Sequence, residues 1–157
     1  MNTSIRIVSS EEERRQLDAL LAEYEESLPP GLRHWSVPVT EGTSSVAILA
    51  TVDDAACGCV FVSRHDDAAA VIQRLYVRPA ARGQGLARAL MQHAADHARV
   101  HGYHRLVLDT DKDQLPAAYQ LYLSLGFRLC GPYADVGYAN PVYMELPLVS
   151  SVSIDPM

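Results

Sequence analysis

Residues 73–91 read QRLYVRPAARGQGLARALM, a pattern of strand, glycine-rich turn and helix. Residues 70–77 are rich in β-branched and aromatic side chains, which is typical of a strand. Pro79 ends that strand because proline has no amide hydrogen to donate to a neighbouring strand. From Arg82 onward apolar side chains recur at helical spacing, so a helix is predicted from Arg82 to about residue 100. The glycine-rich turn then places several unpaired amides at a helix N-terminus, where they can bind an anion.

Two well-known phosphate-binding patterns do not fit this turn. The dinucleotide fingerprint requires a third glycine at the position that Arg88 occupies. A Walker-type loop requires a lysine followed by serine or threonine, and the turn has neither. What remains is Arg82-x-x-Gly85-x-Ala87, in which Gly83 and Gly85 allow the backbone to approach a phosphate closely. A nucleotide-binding regulatory domain is therefore disfavoured.

A second motif follows at residues 118–127, which read AYQLYLSLGF and predict a helix that leads into a strand. Together with LYVRP at residues 75–79 and Arg82-x-x-Gly85-x-Ala87, this segment resembles the GNAT superfamily of N-acetyltransferases. The first motif is similar to the superfamily's acetyl-coenzyme A signature, and the second to its helix-then-strand motif. The resemblance extends over about residues 46–146.

The resemblance implies acetyl-coenzyme A as the donor and direct transfer to an amine, with no covalent enzyme intermediate. The backbone of Leu75, Tyr76 and Val77 would run beside the pantetheine arm, and the Leu75 amide would face the thioester carbonyl at a local splay of the strand. Tyr122 matches the residue that donates a proton to the coenzyme A thiolate; a tyrosine that only packs its ring in the core is the alternative. The residues expected to hold the pyrophosphate are Arg82, Gly83, Gln84, Gly85, Leu86 and Ala87, with a charged contact from Arg88. Leu115 replaces a frequent family asparagine, which removes one side-chain contact to the cofactor.

The sequence assigns no general base. Gln73 cannot accept a proton, and residues 68–78 contain no carboxylate. The carboxylates expected nearest to the site are Glu25, Glu26, Asp109 and Asp111. A water chain, or a substrate that arrives neutral, would also serve. The missing base gives weight to a rival interpretation, a non-catalytic acyl-coenzyme A binding or sensing module without an open acceptor pocket.

The remaining hydrophobic pattern predicts a mixed, mostly antiparallel sheet with helices on both faces, in the α/β (α+β) class. Strands are predicted at residues 4–8, 46–52, 56–64, 71–78, 105–109, 127–129 and 142–146. Helices are predicted at residues 11–27, capped by Ser9 or Ser10, at 82–100, and at 115–125. Because a helix joins the strands at 71–78 and 105–109, these two should be parallel.

One domain is expected at residues 1–148, followed by a tail at 149–157. The loop that ends near Thr43, with Trp35 as its large apolar side chain, is implied by the resemblance to help line the acceptor site. No apolar run is long enough to span a membrane and no signal peptide is recognised, so the expected location is cytoplasmic.

The net charge of −6 argues against nucleic acid or an anionic membrane as the partner, and it is compatible with a cationic amine. The acceptor could be a small amine, an amino acid or a peptide, and a homodimer is one candidate assembly. An anionic cofactor in an acidic protein requires a local basic region. Four arginines are expected to supply it: Arg74, Arg78, Arg82 and Arg88.

Cysteines, histidines and tyrosines form three further groups. Cys57 and Cys59 alternate along a predicted strand and should point to the same side, and with Cys130 they are expected to be reduced. A helical series is formed by His93, His97 and His101, for which a polar helix edge is expected rather than a zinc or nickel site. A last group comprises Tyr133, Tyr138 and Tyr143, which would form either a wall of the acceptor pocket or an aromatic loop on the sheet edge.

Overall fold

The structure, a computed structural model, describes residues 2–32 and 45–148. Its strands are β1 (Thr3–Ile7), β2 (Ser45–Val52), β3 (Ala55–Arg64), β4 (Ala69–Val77), β5 (Arg105–Thr110), β6 (Arg128–Cys130) and β7 (Val142–Pro147). Its α-helices are α1 (Glu11–Ser27), α2 (Leu86–Val100) and α3 (Pro116–Ser124), with short 3₁₀ turns at Pro30–Leu32 and Pro79–Ala81. The expected loop around Trp35 and the expected tail at 149–157 lie outside the described residues.

The described strands form one mixed sheet in the order β1-β2-β3-β4-β5-β7-β6. Only β4 and β5 pair in parallel, as expected for strands that a helix connects. The helices cover both faces because alternate side chains of a strand point to opposite sides. On one face the side chains of α1 pack on Cys59 and Phe61. On the other face α2 and α3 pack on Val60 and Val62. The expected fold class is confirmed.

Helix α1 begins with a capping box that settles the choice between the two serines. The Ser10 hydroxyl accepts the Glu13 amide at 3.0 Å, and the Glu13 carboxylate accepts the Ser9 and Ser10 amides at 3.0 and 3.1 Å. Arg6 of β1 adds an ion pair to the same carboxylate at 3.0 Å. These backbone hydrogen bonds lower the pKa of Glu13 from 4.5 to about 2.

We expect Glu13 to contribute to stability at neutral pH and to lose that contribution in acid. Its folded pKa lies below the unfolded value, so the stabilisation is present above pH 4.5 and disappears as the pH falls toward 2. Chemical denaturation of wild type and Glu13→Gln at pH 7 and at pH 3 should give free energies of unfolding whose difference is smaller at pH 3 than at pH 7. Glu11→Gln, in the same helical turn but without these contacts, is the control. A constant difference across this range would contradict the assignment.

Two predictions of local structure are wrong. Helix α2 begins at Leu86 rather than Arg82, because Gly83 and Gly85 have φ of +81° and +79° and left-handed residues cannot continue an α-helix. Cys57 and Cys59 point to opposite faces of the sheet. The cause is a β-bulge: Ala50 pairs with Gly58 and Thr51 with Ala56, which leaves Cys57 as an extra residue.

Candidate active site

Strands β4 and β5 separate from each other in the middle of the sheet. They pair only where residues 69–71 lie beside residues 105–107. Beyond that point β4 contains a bulge. Gln73 of β4 pairs with Phe61 of β3, and Tyr76 of β4 pairs with Cys59 of β3. Arg74 and Leu75 of β4 therefore lie opposite the single β3 residue between Cys59 and Phe61. Arg74 adopts the left-handed conformation with φ of +57°. The expected splay of the strand is therefore present, and it turns the backbone at Leu75 away from regular pairing.

A cavity of about 470 Å³ lies at this separation. Leu75 and Val77 line it from β4, Leu115 lines it from the start of α3, and Ala87 lines it from the first turn of α2. Tyr24 of α1 also lines it, from the opposite face of the sheet. The cavity thus reaches both faces of the sheet through the gap between β4 and β5.

The loop before α2 presents a run of open amides. Between the described residues, no hydrogen bond uses the backbone amides of residues 83–88, and the first helical bond runs from the Ala89 amide to the Gly85 carbonyl at 3.0 Å. Gly85 occupies the N-cap without a side chain that could accept one of these amides. An added Cβ at Gly83 or Gly85 would meet nothing within 4 Å, so the space above the loop is open. Such amides and the positive end of the helix dipole favour an anion.

The Arg82 amide does not belong to this run, because it donates to the Pro79 carbonyl at 3.3 Å. The Arg82 side chain instead steadies the loop: its Nε donates to the Val77 carbonyl at 2.9 Å, and its guanidinium lies over the Tyr76 ring at 5.9 Å. Arg88 is exposed and donates to the Ser124 hydroxyl of α3 at 2.7 Å.

The expected basic region of four arginines is wrong for Arg78. Its guanidinium Nε donates to both Glu23 carboxylate oxygens at 3.0 Å, and its Nη1 donates to the Ala56 carbonyl at 2.7 Å. The hydrogen bond and charge of Arg78 lower the pKa of Glu23, and those of Glu23 raise the pKa of Arg78. Arg78 therefore ties the end of β4 to α1, while Arg74 and Arg82 remain in the lining of the cavity.

Tyr122 lies on α3, where its ring packs in the core and borders the cavity. It is 8% exposed, and its ring lies 5.8 Å from that of Phe127. Burial raises its pKa above the ordinary 10.0, with smaller contributions from Tyr24 and from the negative charge of Asp109. No hydrogen bond between described residues involves its hydroxyl. The phenol is therefore protonated at neutral pH, and it lines the cavity.

Of the four candidate acidic residues, only Asp109 lines the cavity within the described part of the chain. Glu25, Glu26 and Asp111 do not. Asp111 instead orders the turn before α3, where it accepts the amides of residues 113 and 114 at 3.0 Å each. Asp109 accepts hydrogen bonds from the hydroxyls of Tyr133 and Tyr138, the latter at 2.7 Å.

The tyrosine loop supports the cavity without forming its wall. Tyr133 packs on the sheet beside Val107, and neither Tyr133 nor Tyr138 lines the cavity. Tyr143 donates to the Ala134 carbonyl at 3.0 Å. Of the two interpretations that the sequence left open, the aromatic loop on the sheet is the one observed. No local pattern indicates the contact with Asp109, because 24 and 29 residues separate the partners along the chain.

The histidine series on α2 is a separate feature. The rings of His97 and His101 stack at 4.1 Å, and His101 Nδ1 lies 2.9 Å from the His97 carbonyl oxygen. Burial lowers the pKa of His97. Across residues 2–32 and 45–148, no three or more His, Cys, Asp or Glu side chains are grouped as metal ligands would be.

Comparison with known proteins identifies the family. The sequence model of the acetyltransferase (GNAT) family matches residues 9–127. The chain belongs to the GNAT acetyltransferase family. An N-acetyltransferase of Schizosaccharomyces pombe is 40% identical over 77 residues, which are 49% of this chain and 47% of that protein. An N-acetyltransferase of Bacillus subtilis is 32% identical over 97 residues, 60% of this chain and 64% of that protein. The chain thus spans less than two thirds of these relatives.

Solved GNAT structures share the fold over nearly the whole chain. The ribosomal-protein-S18-alanine N-acetyltransferase of Escherichia coli has a TM-score of 0.70 at 20% identity and covers 98% of this chain and 99% of that one. The phosphinothricin acetyltransferase of Sinorhizobium meliloti, solved with acetyl-coenzyme A, has a TM-score of 0.71 at 19% identity, covering 100% and 94%. The expected family and fold class are confirmed.

The GNAT domain has no candidate for a transmembrane helix among its described residues. None of the helices there combines the length and the apolar character that crossing a bilayer requires.

Proposed function

We propose that residues 1–148 form one domain that transfers an acetyl group from acetyl-coenzyme A directly to an amine, which is a small molecule, an amino acid or a peptide. The observation that carries this proposal is the run of open amides at residues 83–88, which lies beside a cavity that passes between β4 and β5. The loop offers a site for a diphosphate, and the cavity offers a route from that site to the far face of the sheet.

The residues present fit acetyl-coenzyme A. The amides of Gly83, Gln84, Gly85, Leu86 and Ala87, with that of Arg88, would hold its pyrophosphate. Leu75, Tyr76 and Val77 would flank the pantetheine arm, and Leu75 has no register partner on β3 or β5, which supports an amide directed at the thioester carbonyl. When bound, the cofactor supplies an activated acetyl group.

Transfer requires a donor for the charge that develops on the carbonyl oxygen and a proton for the departing thiolate. We assign the first role to the Leu75 amide and the second to Tyr122. The position of Tyr122 supports this assignment, because it lines the cavity and its hydroxyl donates to no described residue. An amine that arrives as an ammonium loses two protons overall: one goes to solvent, and the other replaces the proton that Tyr122 gives to the thiolate. An amine that arrives neutral loses only the second of these.

The remaining parts of the proposal concern surroundings and partners. A cytoplasmic location is supported by Cys57, Cys59 and Cys130, each of which is a free thiol. A net charge of −6 supports an amine rather than a nucleic acid as partner. A homodimer stays a prediction.

Coenzyme A release, measured with a panel of small amines, amino acids and peptides, tests this function. We expect turnover with at least one amine and a mass increase of one acetyl group on that acceptor. A protein that binds acetyl-coenzyme A tightly but acetylates no member of the panel would instead be the binding or sensing module. A binding or sensing module would not require a cavity that continues to the α1 face of the sheet.

A further inference from the structure

We propose that Asp109 binds the acceptor nitrogen and that the acceptor is a cationic amine. This inference rests on the transferase function proposed above, and it names the substrate class and the residue that selects it.

The position of Asp109 places its side chain on the face opposite to the cofactor loop. Along β5, Leu108 belongs to the core beneath α2 and α3, whereas Val107 packs on the other face beside Tyr133. By strand alternation Asp109 shares the face of Val107. Asp109 still lines the cavity, because β4 has separated from β5 at this level. A molecule that enters from the α1 face therefore meets this carboxylate before it reaches the thioester.

Two tyrosines hold the carboxylate in a fixed orientation. Tyr133 donates to Oδ1 and Tyr138 donates to Oδ2 at 2.7 Å. Burial raises the pKa of both phenols, and the charge of Asp109 raises it further, so both remain donors. The Tyr133 ring is itself held edge-on between His65 at 5.4 Å and Tyr143 at 5.5 Å. Each carboxylate oxygen accepts one tyrosine and keeps a second acceptor position.

Asp109 has neutral donors but no counter-ion within the described residues. Other carboxylates of the sheet and of α1 form ion pairs with arginines. Glu145 pairs with Arg105 at 2.8 Å, and Glu23 pairs with Arg78. No Arg, Lys or His side chain of residues 2–32 and 45–148 forms an ion pair with Asp109. A half-buried carboxylate is stabilised by a cation and by further hydrogen-bond donors. An ammonium group supplies both.

The neighbouring groups favour an amine at this position. Tyr24 lines the same part of the cavity, and burial raises its pKa to about 12, so it is neutral. Arg74 also lines the cavity, but its guanidinium lies over the Phe61 ring at 5.6 Å. Asp109 is the only carboxylate among the described lining residues, and its charge is felt at Tyr122, whose pKa it raises. An ammonium on Asp109 would therefore lie within the same cavity as the proposed acid.

The test compares acceptor kinetics in wild type, Asp109→Asn and Tyr138→Phe at saturating acetyl-coenzyme A. The probes are benzylamine, agmatine and alanine amide, which are cationic at neutral pH, and aniline, which is neutral. We expect wild type to prefer a cationic probe. Asp109→Asn should lower kcat/KM for that probe about tenfold to a hundredfold, mainly through KM, because it removes a charge-assisted hydrogen bond. The Kd for acetyl-coenzyme A, measured by calorimetric titration, should not change. Tyr138→Phe keeps the carboxylate, so it should raise the acceptor KM less than Asp109→Asn does.

Asp54→Asn is the matched control. It makes the same change of charge in the exposed β2–β3 turn, where φ of +69° suits asparagine as well as aspartate. The proposal is overturned if Asp109→Asn keeps the wild-type kcat/KM, or if aniline is the preferred acceptor. Absence of turnover by wild type with every amine overturns the transferase function itself, which is a different result. If Asp109→Asn does not fold, an unchanged acceptor KM in Tyr138→Phe overturns the anchoring role.

Discussion

Gly85→Glu is expected to abolish binding of acetyl-coenzyme A. Gly85 has φ of +79°, a conformation that side chains with a Cβ rarely adopt, and it is the N-cap of α2. The substitution places a carboxylate where the open amides of residues 83–88 would hold a diphosphate. Charge-assisted hydrogen bonds of this kind contribute roughly 1.5–3 kcal/mol each, and their loss is joined by repulsion between like charges. We expect the Kd for acetyl-coenzyme A to rise by at least about a hundredfold.

Calorimetric titration with acetyl-coenzyme A measures this effect, and Gly102→Glu provides the control. Gly102 has φ of +86° just beyond the other end of α2, and an added Cβ would meet nothing within 4 Å there. Both variants therefore introduce the same strain and the same charge, but only one lies at the cofactor loop. Tight binding by Gly85→Glu would remove the anion site and the donor assignment that depends on it. Equal loss in both variants would indicate a folding defect rather than a lost site.

The elements of the fold could be predicted from sequence because their signals are local. Hydrophobic periodicity predicted the observed strands and helices to within a few residues, and Ser10 with Glu13 is a recognisable capping pair. Pairing between distant strands has no such local signal. The position of β7 between β5 and β6 was not predicted. The start of α2 was wrong because the same glycines that suit a phosphate loop adopt left-handed φ and delay the helix.

The cofactor side of the site was also accessible to sequence reasoning, since its motif is a continuous stretch of backbone. The acceptor side was not, because it depends on contacts that the fold creates. Arg78 was expected near phosphate but pairs with Glu23, 55 residues earlier in the chain. Asp109 was one of four equal candidates until the separation of β4 from β5 exposed it to the cavity. The amino-acid composition does not indicate that β4 and β5 separate in the sheet.

Tyr122→Phe is expected to lower kcat by about a hundredfold or more while leaving the affinity for acetyl-coenzyme A nearly intact. General acid catalysis typically contributes about 10²–10⁴ in rate, and phenylalanine retains the ring packing on Phe127 without the proton. The hydroxyl makes no hydrogen bond to a described residue, so its removal should affect the free energy of unfolding little. Because the pKa of Tyr122 is raised above 10.0, wild-type kcat should show no alkaline loss from this group below that pH.

Tyr119→Phe separates the chemical role of Tyr122 from a structural one. Tyr119 lies one turn earlier on α3 and packs against the same core, but it does not line the cavity. Single-turnover measurement of acetyl transfer should be slow in Tyr122→Phe and normal in Tyr119→Phe. If both variants transfer acetyl at the wild-type rate, Tyr122 is a core residue whose hydroxyl happens to face the cavity, and the thiolate takes its proton from water. Each variant loses one hydroxyl oxygen and conserves the packing of α3. A difference in transfer rate between the two variants therefore measures the chemical role of the Tyr122 hydroxyl.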